Sequence, residues 1–482
     1  MLEALTHKYL KEFLFKYPSD WDHIYSFGRI IARFLRKREN LLINSEIFLT
    51  EKWYVGALMA LFLNEKDSIL VSSSVKSKSI IKNYLPLLRE FGFEFLIQNN
   101  QIIFARHKIL LLTIDTLLNH HNKLNFQNQN ILFAEVDNIQ KDLNKKFRVT
   151  FTKKDWLNFS DEFLGQNNEL IESYNTLKKY FFLKAVPNQI FVSLKIDETE
   201  LLNKIIDKYA DYSEKFVKLK RAILSRWAFW VILDYDKFEW SLQSEPINQI
   251  EEIKELLVQN NMIFLSSYRK DNFILKHFKK FDIKIKSAIT FSSCFAEQNI
   301  LIYVPRRLVL PNNPTFVQST INKCIKFSLL SKGVAIFLSN DTNFKMRLAT
   351  ELAAIYGYRV LLENYPKFDN QIICCSYDWW IDNLHLISPP EHIIIPLLPL
   401  PNMETPKNKI TVEFIKSNSD DWFREFILPE SFQKIDQAIS PLRKNAGNLI
   451  FLDGRINNRK WGRDILKMIQ PKKEINCILP FD

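Results

Sequence analysis

Residues 41–74 read LLINSEIFLTEKWYVGALMALFLNEKDSILVSSS. Leu41-Leu42-Ile43 has the length and composition of a buried strand, residues 54–62 form an apolar helix, and Ile69-Leu70-Val71 is a second strand ending in three serines. Strand, helix, strand at this spacing is a βαβ unit, whose two strands lie parallel in one sheet. The pattern continues toward the C-terminus with a helix through Ile80 and Leu88 and short apolar segments at 93–97, 102–105, 109–113 and 131–134. Toward the N-terminus, residues 1–24 form an amphipathic helix broken at Pro18. In the next helix, Ile24, Phe27, Ile31 and Phe34 mark the buried face, and Arg29, Arg33 and Arg36 make a solvated stripe on another.

Residues 139–225 are more charged, carry long helical patterns and lack strand alternation, so they read as a helical insertion. Strands resume at Phe229, and residues 303–314, with three prolines, read as an interdomain linker. A second α/β unit follows, with strands at 334–338, 359–362, 371–375, 392–395 and 448–452 and helices at 343–355 and 429–439. The expected division is an N-terminal helix (1–24), a first parallel-sheet domain (25–138 with 226–300), the helical insertion (139–225) and a second parallel-sheet domain (301–482).

The 482 residues are 47% hydrophobic and 25% charged, which excludes a disordered, collagenous or disulfide-stapled chain. Glycine is scarce: nine residues, where ordinary usage gives roughly 34. The closest pair, Gly447 and Gly454, is too far apart for the GxxxxGK[ST] or GxGxxG loops, which bring backbone N–H groups against a phosphate. Apolar runs fall short of the ~18 residues that cross a bilayer, and the N-terminus lacks a signal-peptide core, so a cytoplasmic protein without a membrane partner is expected. The five cysteines show no CxxC spacing and read as structural thiols, and His120-His121 reads as loop surface without a third zinc ligand. The net charge of +12 is compatible with a polyanionic partner but does not identify one.

Specific signatures add to this. Residues 421–471, DWFREFILPESFQKIDQAISPLRKNAGNLIFLDGRINNRKWGRDILKMIQP, place a glutamine before a basic pair and an LDxR turn before an aromatic-Gly. SSCFAEQNILIYVP (292–305), LPLPNMETP (398–406), LSSYRKDNF (265–273), AEVDNI (134–139), LLLTIDTLL (110–118) and LVSSS (70–74) accompany it. They resemble the DinG-like, XPD-related superfamily 2 DNA helicases, within them a divergent cyanobacterial branch: residues 421–471 motif VI, 292–305 the strand before the second motor domain, 265–273 motif III, 134–139 the DEAH box, 110–118 the strand before it and 70–74 motif Ia, with 398–406 also similar. The resemblance spans residues 20–475. It implies two RecA-like domains and, by descent, ATP-dependent DNA unwinding.

The departures from that pattern fall on the motor's chemistry. Such motors hold the β and γ phosphates with a loop lysine and Mg²⁺ with a Ser or Thr. Here the loop is Asn44 to Lys52; Thr50 and Lys52 are the nucleotide-binding residues the resemblance offers, with Glu51 at the lysine position in a gapless reading and Ile47, Phe48 and Leu49 where phosphates would lie. Ala134 replaces the Mg²⁺-binding Asp, while Glu135 stands at the place of the water-activating carboxylate. Ser440-Pro441 replaces Gly-Arg in motif VI, leaving Arg443 to keep part of the charge. ATP and Mg²⁺ are therefore cofactors only if the ancestral site still works. No iron–sulfur cluster is expected, because residues 1–293 contain no cysteine.

Ser72, Ser73, Ser74, Lys76 and Lys78 are the expected contacts to a single-stranded nucleic acid backbone, against the alternative of a serine-capped helix start. Trp379-Trp380 reads as core, and Asp453-Gly454-Arg455 as a tight turn with an internal ion pair. Three readings remain: a nucleic-acid-binding or partner-binding scaffold with a weak or lost ATPase, a working ATPase with an unconventional site, and a structural subunit without nucleic-acid binding.

Overall fold

The computed structural model describes residues 1–19, 21–49, 51, 53–104, 106–121, 127–162, 167–185, 190–194, 202, 204, 206–207, 214–225, 227–267, 275, 278–279, 282–291, 299–384, 386–417, 421–445 and 447–476. Three sheets organise the chain. The first contains β1 (Leu41–Asn44), β2 (Ser68–Val71), β3 (Leu96–Gln98), β4 (Gln101–Ile103), β5 (Lys108–Leu112), β6 (Asn130–Phe133), β11 (Asn261–Ser266) and β12 (Ser287–Thr290), in the order β12-β1-β11-β6-β2-β5-β4-β3. Its pairings are parallel except at β3-β4-β5, where Asn99 and Asn100 at positive φ close a two-residue hairpin turn. Leu41, Leu42 and Ile43 are fully buried because helices cover both faces, as a parallel sheet requires.

Two of the nine glycines serve helix packing in this domain. A Cβ on Gly28 would meet Leu10 at 2.5 Å, and one on Gly56 would meet Phe27 at 2.9 Å. Their absence lets helices Ile24–Lys37 and Tyr54–Leu63 approach each other closely. The N-terminal helix Leu2–Lys16 lies in the same cluster, through Leu10, Phe13 and Leu14, and so is part of the first domain's core.

The insertion differs from the helical expectation. Strands β7 (Val149–Phe151), β8 (Phe191–Leu194), β9 (Ala228–Asp234) and β10 (Glu239–Glu245) form an antiparallel sheet in the order β7-β10-β9-β8. The strands resuming at Phe229 belong to this sheet, which carries the insertion past the expected boundary at 225. Trp240, Leu242 and Ser244 alternate inward along β10, packing on helices Asn167–Lys184 and Glu214–Leu224 in a core of their own.

The third sheet is wholly parallel: β13 (Ile300–Tyr303), β14 (Ala335–Leu338), β15 (Val360–Leu362), β16 (Ile372–Cys375), β17 (His392–Ile395), β18 (Asn448–Phe451) and β19 (Lys472–Ile475), in the order β15-β16-β14-β17-β18-β13-β19. The proline-rich segment expected to link domains instead connects β13 to helix Phe316–Leu330 inside this domain, and packs its Val309 carbonyl on Gly454. Cys324, Cys374 and Cys375 are buried, with burial pushing each thiol upward, as structural cysteines; Cys294 and Cys477 lie outside the described residues. His120 and His121 end helix Ile114–His121 rather than sitting in a loop. Among the described residues no helix is long and apolar enough to cross a membrane.

Candidate nucleotide and nucleic-acid site

In an open α/β sheet, ligands bind beyond the carboxyl ends of the strands where strand order reverses. The first sheet brings β1, β2, β6 and β11 to that edge, with β1 separated from β2 by two strands. At the position of a phosphate loop, β1 runs into a single tight helical turn, Glu46–Leu49. Ser45 N–H donates to the Ser266 carbonyl at 2.9 Å, Ile47 N–H to Ser45 Oγ at 3.4 Å and Phe48 N–H to the Ser45 carbonyl at 3.2 Å. These three backbone donors are bonded to the loop and to β11. The Phe48 ring turns inward, with centroids 5.7 Å from Phe27 and 5.6 Å from Trp53. Thr50 and Lys52 lie outside the described residues.

Glu135 follows β6 on the same edge. Its Oε2 accepts from Ser73 N–H at 2.9 Å, and its Oε1 lies 3.0 Å from Lys76 Nζ. Lys76 Nζ also donates to the Phe48 carbonyl at 3.1 Å, so one ammonium joins the loop, the β6 end and the helix after β2. Both side chains are about one-fifth exposed (Lys76 19%, Glu135 20%). Burial pushes the Glu135 carboxyl upward, but the Lys76 charge and the donors of Ser73 and Lys76 outweigh it and hold the carboxyl below its ordinary range. Glu135→Gln should therefore lower stability by about 1–3 kcal/mol, less than for a fully buried pair. A carboxyl held low in the folded state contributes stability above its unfolded pKa and loses it as pH falls through the folded value. Urea titrations from neutral to acid pH should show this loss in the wild type and not in the Gln variant.

The neighbouring carboxylate, Asp137, was not singled out in the sequence. It accepts from Ser266 Oγ (2.6 Å), Ser267 N–H (2.6 Å) and Ser267 Oγ (2.7 Å) at the end of β11. Burial pushes its carboxyl up, and these three donors partly offset that. From the second domain, helix Leu428–Ala438 brings Gln433 Nε2 to the Asp137 carbonyl (3.2 Å) and Gln437 Nε2 to Ser267 Oγ (2.9 Å). The two domains thus meet across the cleft through side-chain amides and hydroxyls. The sequence signal was the motif order itself, which placed AEVDNI, LSSYRKDNF and the motif VI glutamine as separate segments without pairing them.

Arg443, expected to face the nucleotide, does not join this group. It is 1% exposed, and its guanidinium meets Asp436 Oδ1 at 2.7 Å inside the second domain. The LDxR turn is likewise internal: Arg455 binds both Asp453 oxygens (Nε at 3.0 Å to each), and Asp453 also accepts from Leu398 N–H at 2.9 Å. Trp380 is buried and donates its indole N–H to the Ala438 carbonyl at 2.8 Å, as core.

The motif Ia residues separate by direction. Ser72 is buried and shares a 2.8 Å hydrogen bond with Ser77. Ser73 caps helix Ser74–Ser79 by accepting from Lys76 N–H. Ser74 and Lys78 are exposed, whereas Lys76 turns into the cleft. The local geometry is that of a serine-capped helix, with Ser74 and Lys78 presented to solvent.

Residues 390–472 match the family model of the helicase C-terminal domain. No curated protein sequence matches the chain. Among solved structures it resembles Xpd4 of S. tokodaii at 14% identity and a TM-score of 0.61, covering 94% of this chain and 99% of that one. An apo XPD structure (12% identity, TM-score 0.57, 94% and 100% covered) and an XPD helicase (11%, 0.58, 95% and 99%) are similar. With two RecA-like sheets meeting at the cleft and a match to the helicase C-terminal domain at 390–472, the chain has the fold of the XPD structures it resembles.

Proposed function

We propose that this protein is a helicase-like, single-stranded nucleic-acid-binding scaffold whose own nucleotide site is closed by its side chains, with ATP hydrolysis weak or lost. One observation carries the reading: the Lys76 ammonium, held between Glu135 and the Phe48 carbonyl, lies where loop and β6 would face a nucleotide. ATP and Mg²⁺ do not fit these residues. Ile47 and Phe48 are buried at the loop, Ala134 has no side-chain oxygen for a metal, and Glu135 is already neutralised by Lys76. We also hold that the chain carries no iron–sulfur cluster, since residues 1–293 supply no thiolate. Titration with a fluorescent ATP analogue, with and without single-stranded DNA, tests the reading. Saturable nucleotide binding that strengthens with DNA would instead support a working motor.

On the nucleic-acid side, two phosphate contacts from Lys76 and Lys78 would flatten the log–log salt dependence of binding by roughly 1.4 when both are replaced, at about 0.7 per phosphate on a single strand. With Lys76 committed to Glu135, the expected change is about 0.7 for Lys78→Ala and none for Lys76→Ala. Fluorescence anisotropy across a salt series reads it. A slope unchanged by Lys78→Ala would remove this helix from the groove, and absence of binding at ~50 mM salt would favour a structural subunit.

A further inference from the structure

The insertion carries a group of half-exposed rings at its hairpin tip, anchored to its core through Phe182. The β9-β10 hairpin turns through Tyr235, Asp236, Lys237 and Phe238, and Phe238 holds φ at 51°, the left-handed region that glycine or asparagine ordinarily takes at such a bend. A bulky ring there costs backbone strain, and at 55% exposed it returns little of that cost as burial. Strain of this kind persists where a function retains it. Phe182 underlies the tip, with ring centroids 4.5 Å from Phe238 and 5.5 Å from Tyr235, which is itself 44% exposed. Lys178 Nζ stands 4.0 Å from the centre of the Phe238 ring. Lys178 and Phe182 come from one helix whose last residues, 178–184, read KKYFFLK, lysines interleaved with aromatics.

We propose that Tyr235 and Phe238 form a stacking platform for the bases of single-stranded nucleic acid, with Lys178 and Lys179 meeting the adjoining phosphates. Flat rings beside ammonium groups match a ligand that alternates π faces with negative charge, and a duplex hides those faces within its stack. Of the three carboxylates at the hairpin tip, two are met by lysines, Asp234 by Lys237 at 3.7 Å and Glu239 by Lys153 at 2.8 Å, which leaves Asp236. The net charge of +12 adds a general attraction. The inference rests on the nucleic-acid-binding reading above and places a second contact on the insertion, apart from helix Ser74–Ser79.

Phe238→Gly separates function from folding, because glycine removes the ring and suits the left-handed backbone. Anisotropy with labelled oligo-dT at low salt should show binding weakened about tenfold, as for loss of one stacked base, with thermal stability unchanged or raised. Phe238→Trp should keep wild-type affinity. Phe15→Ala, which removes a ring 93% exposed on the first helix, should leave binding unchanged. Binding by Phe238→Gly as tight as that of the wild type would overturn the platform while leaving the nucleic-acid reading standing, and would assign the exposed rings to a protein contact. Failure of the wild type to bind oligo-dT would overturn both.

Discussion

Mixed with Mg-ATP and single-stranded DNA, the protein is expected to release phosphate well below about 1 s⁻¹, the low end of ordinary enzyme rates, and Glu135→Gln is expected to leave that background unchanged. Phosphoryl transfer depends on positioning and on stabilising charge at the transferring group, and on the function proposed above this chain lacks three contributors at once. The N–H groups of Ser45, Ile47 and Phe48 are bonded to protein acceptors, and Phe48 is buried among aromatic rings. By the resemblance, Ala134 falls at the metal-binding position. Pro441, again by the resemblance, falls where motif VI carries an arginine, a role worth about 10³ to 10⁵ in rate where present, and its neighbour Arg443 is paired with Asp436. Glu135, bound to Ser73 and Lys76, would need to release Lys76 before it could orient a water. DNA-stimulated hydrolysis at 1 s⁻¹ or faster (roughly the usual scale), abolished by Glu135→Gln in a phosphate-release assay, would show that the cleft opens and works as a motor.

Much of the scaffold was legible because its strands are short, continuous apolar runs separated by helices. Leu41-Leu42-Ile43 and Ile69-Leu70-Val71 could be placed parallel in one sheet from spacing alone, and both lie in the first sheet, two strands apart. The insertion was not, because local apolar density does not say which sheet a strand joins. β9, AFWVILD, is as apolar as the core strands around it, whereas β10, EWSLQSE, alternates, and their four-residue connection makes the two an antiparallel hairpin. In the site, Lys76 and Lys78 were read as one basic pair. Residues two apart on a helix point roughly 200° apart, so the two ammoniums cannot face the same groove, and Lys76 takes the inward direction. Asp137 escaped notice because its three donors come from a strand 130 residues away.

Arg443→Ala should be among the most destabilising single changes in the second domain, at about 3–5 kcal/mol, the cost of removing one partner from a buried ion pair. Asp436 and Arg443 lie seven residues apart, and both are almost wholly inaccessible to water (Arg443 1%, Asp436 4% exposed), so truncating the guanidinium leaves Asp436 without its 2.7 Å partner. Neutralising both ends, Asp436→Asn with Arg443→Met, removes the stranded charge along with the pair and should recover much of the loss. Denaturant unfolding of the two variants reads the difference. The pairing fixes the sign of the functional comparison too: the double variant, folded but without a guanidinium at 443, should bind single-stranded DNA and hydrolyse ATP no differently from wild type. An arginine acting on the nucleotide would behave in the opposite way, with Arg443→Ala keeping wild-type stability and the double variant losing turnover.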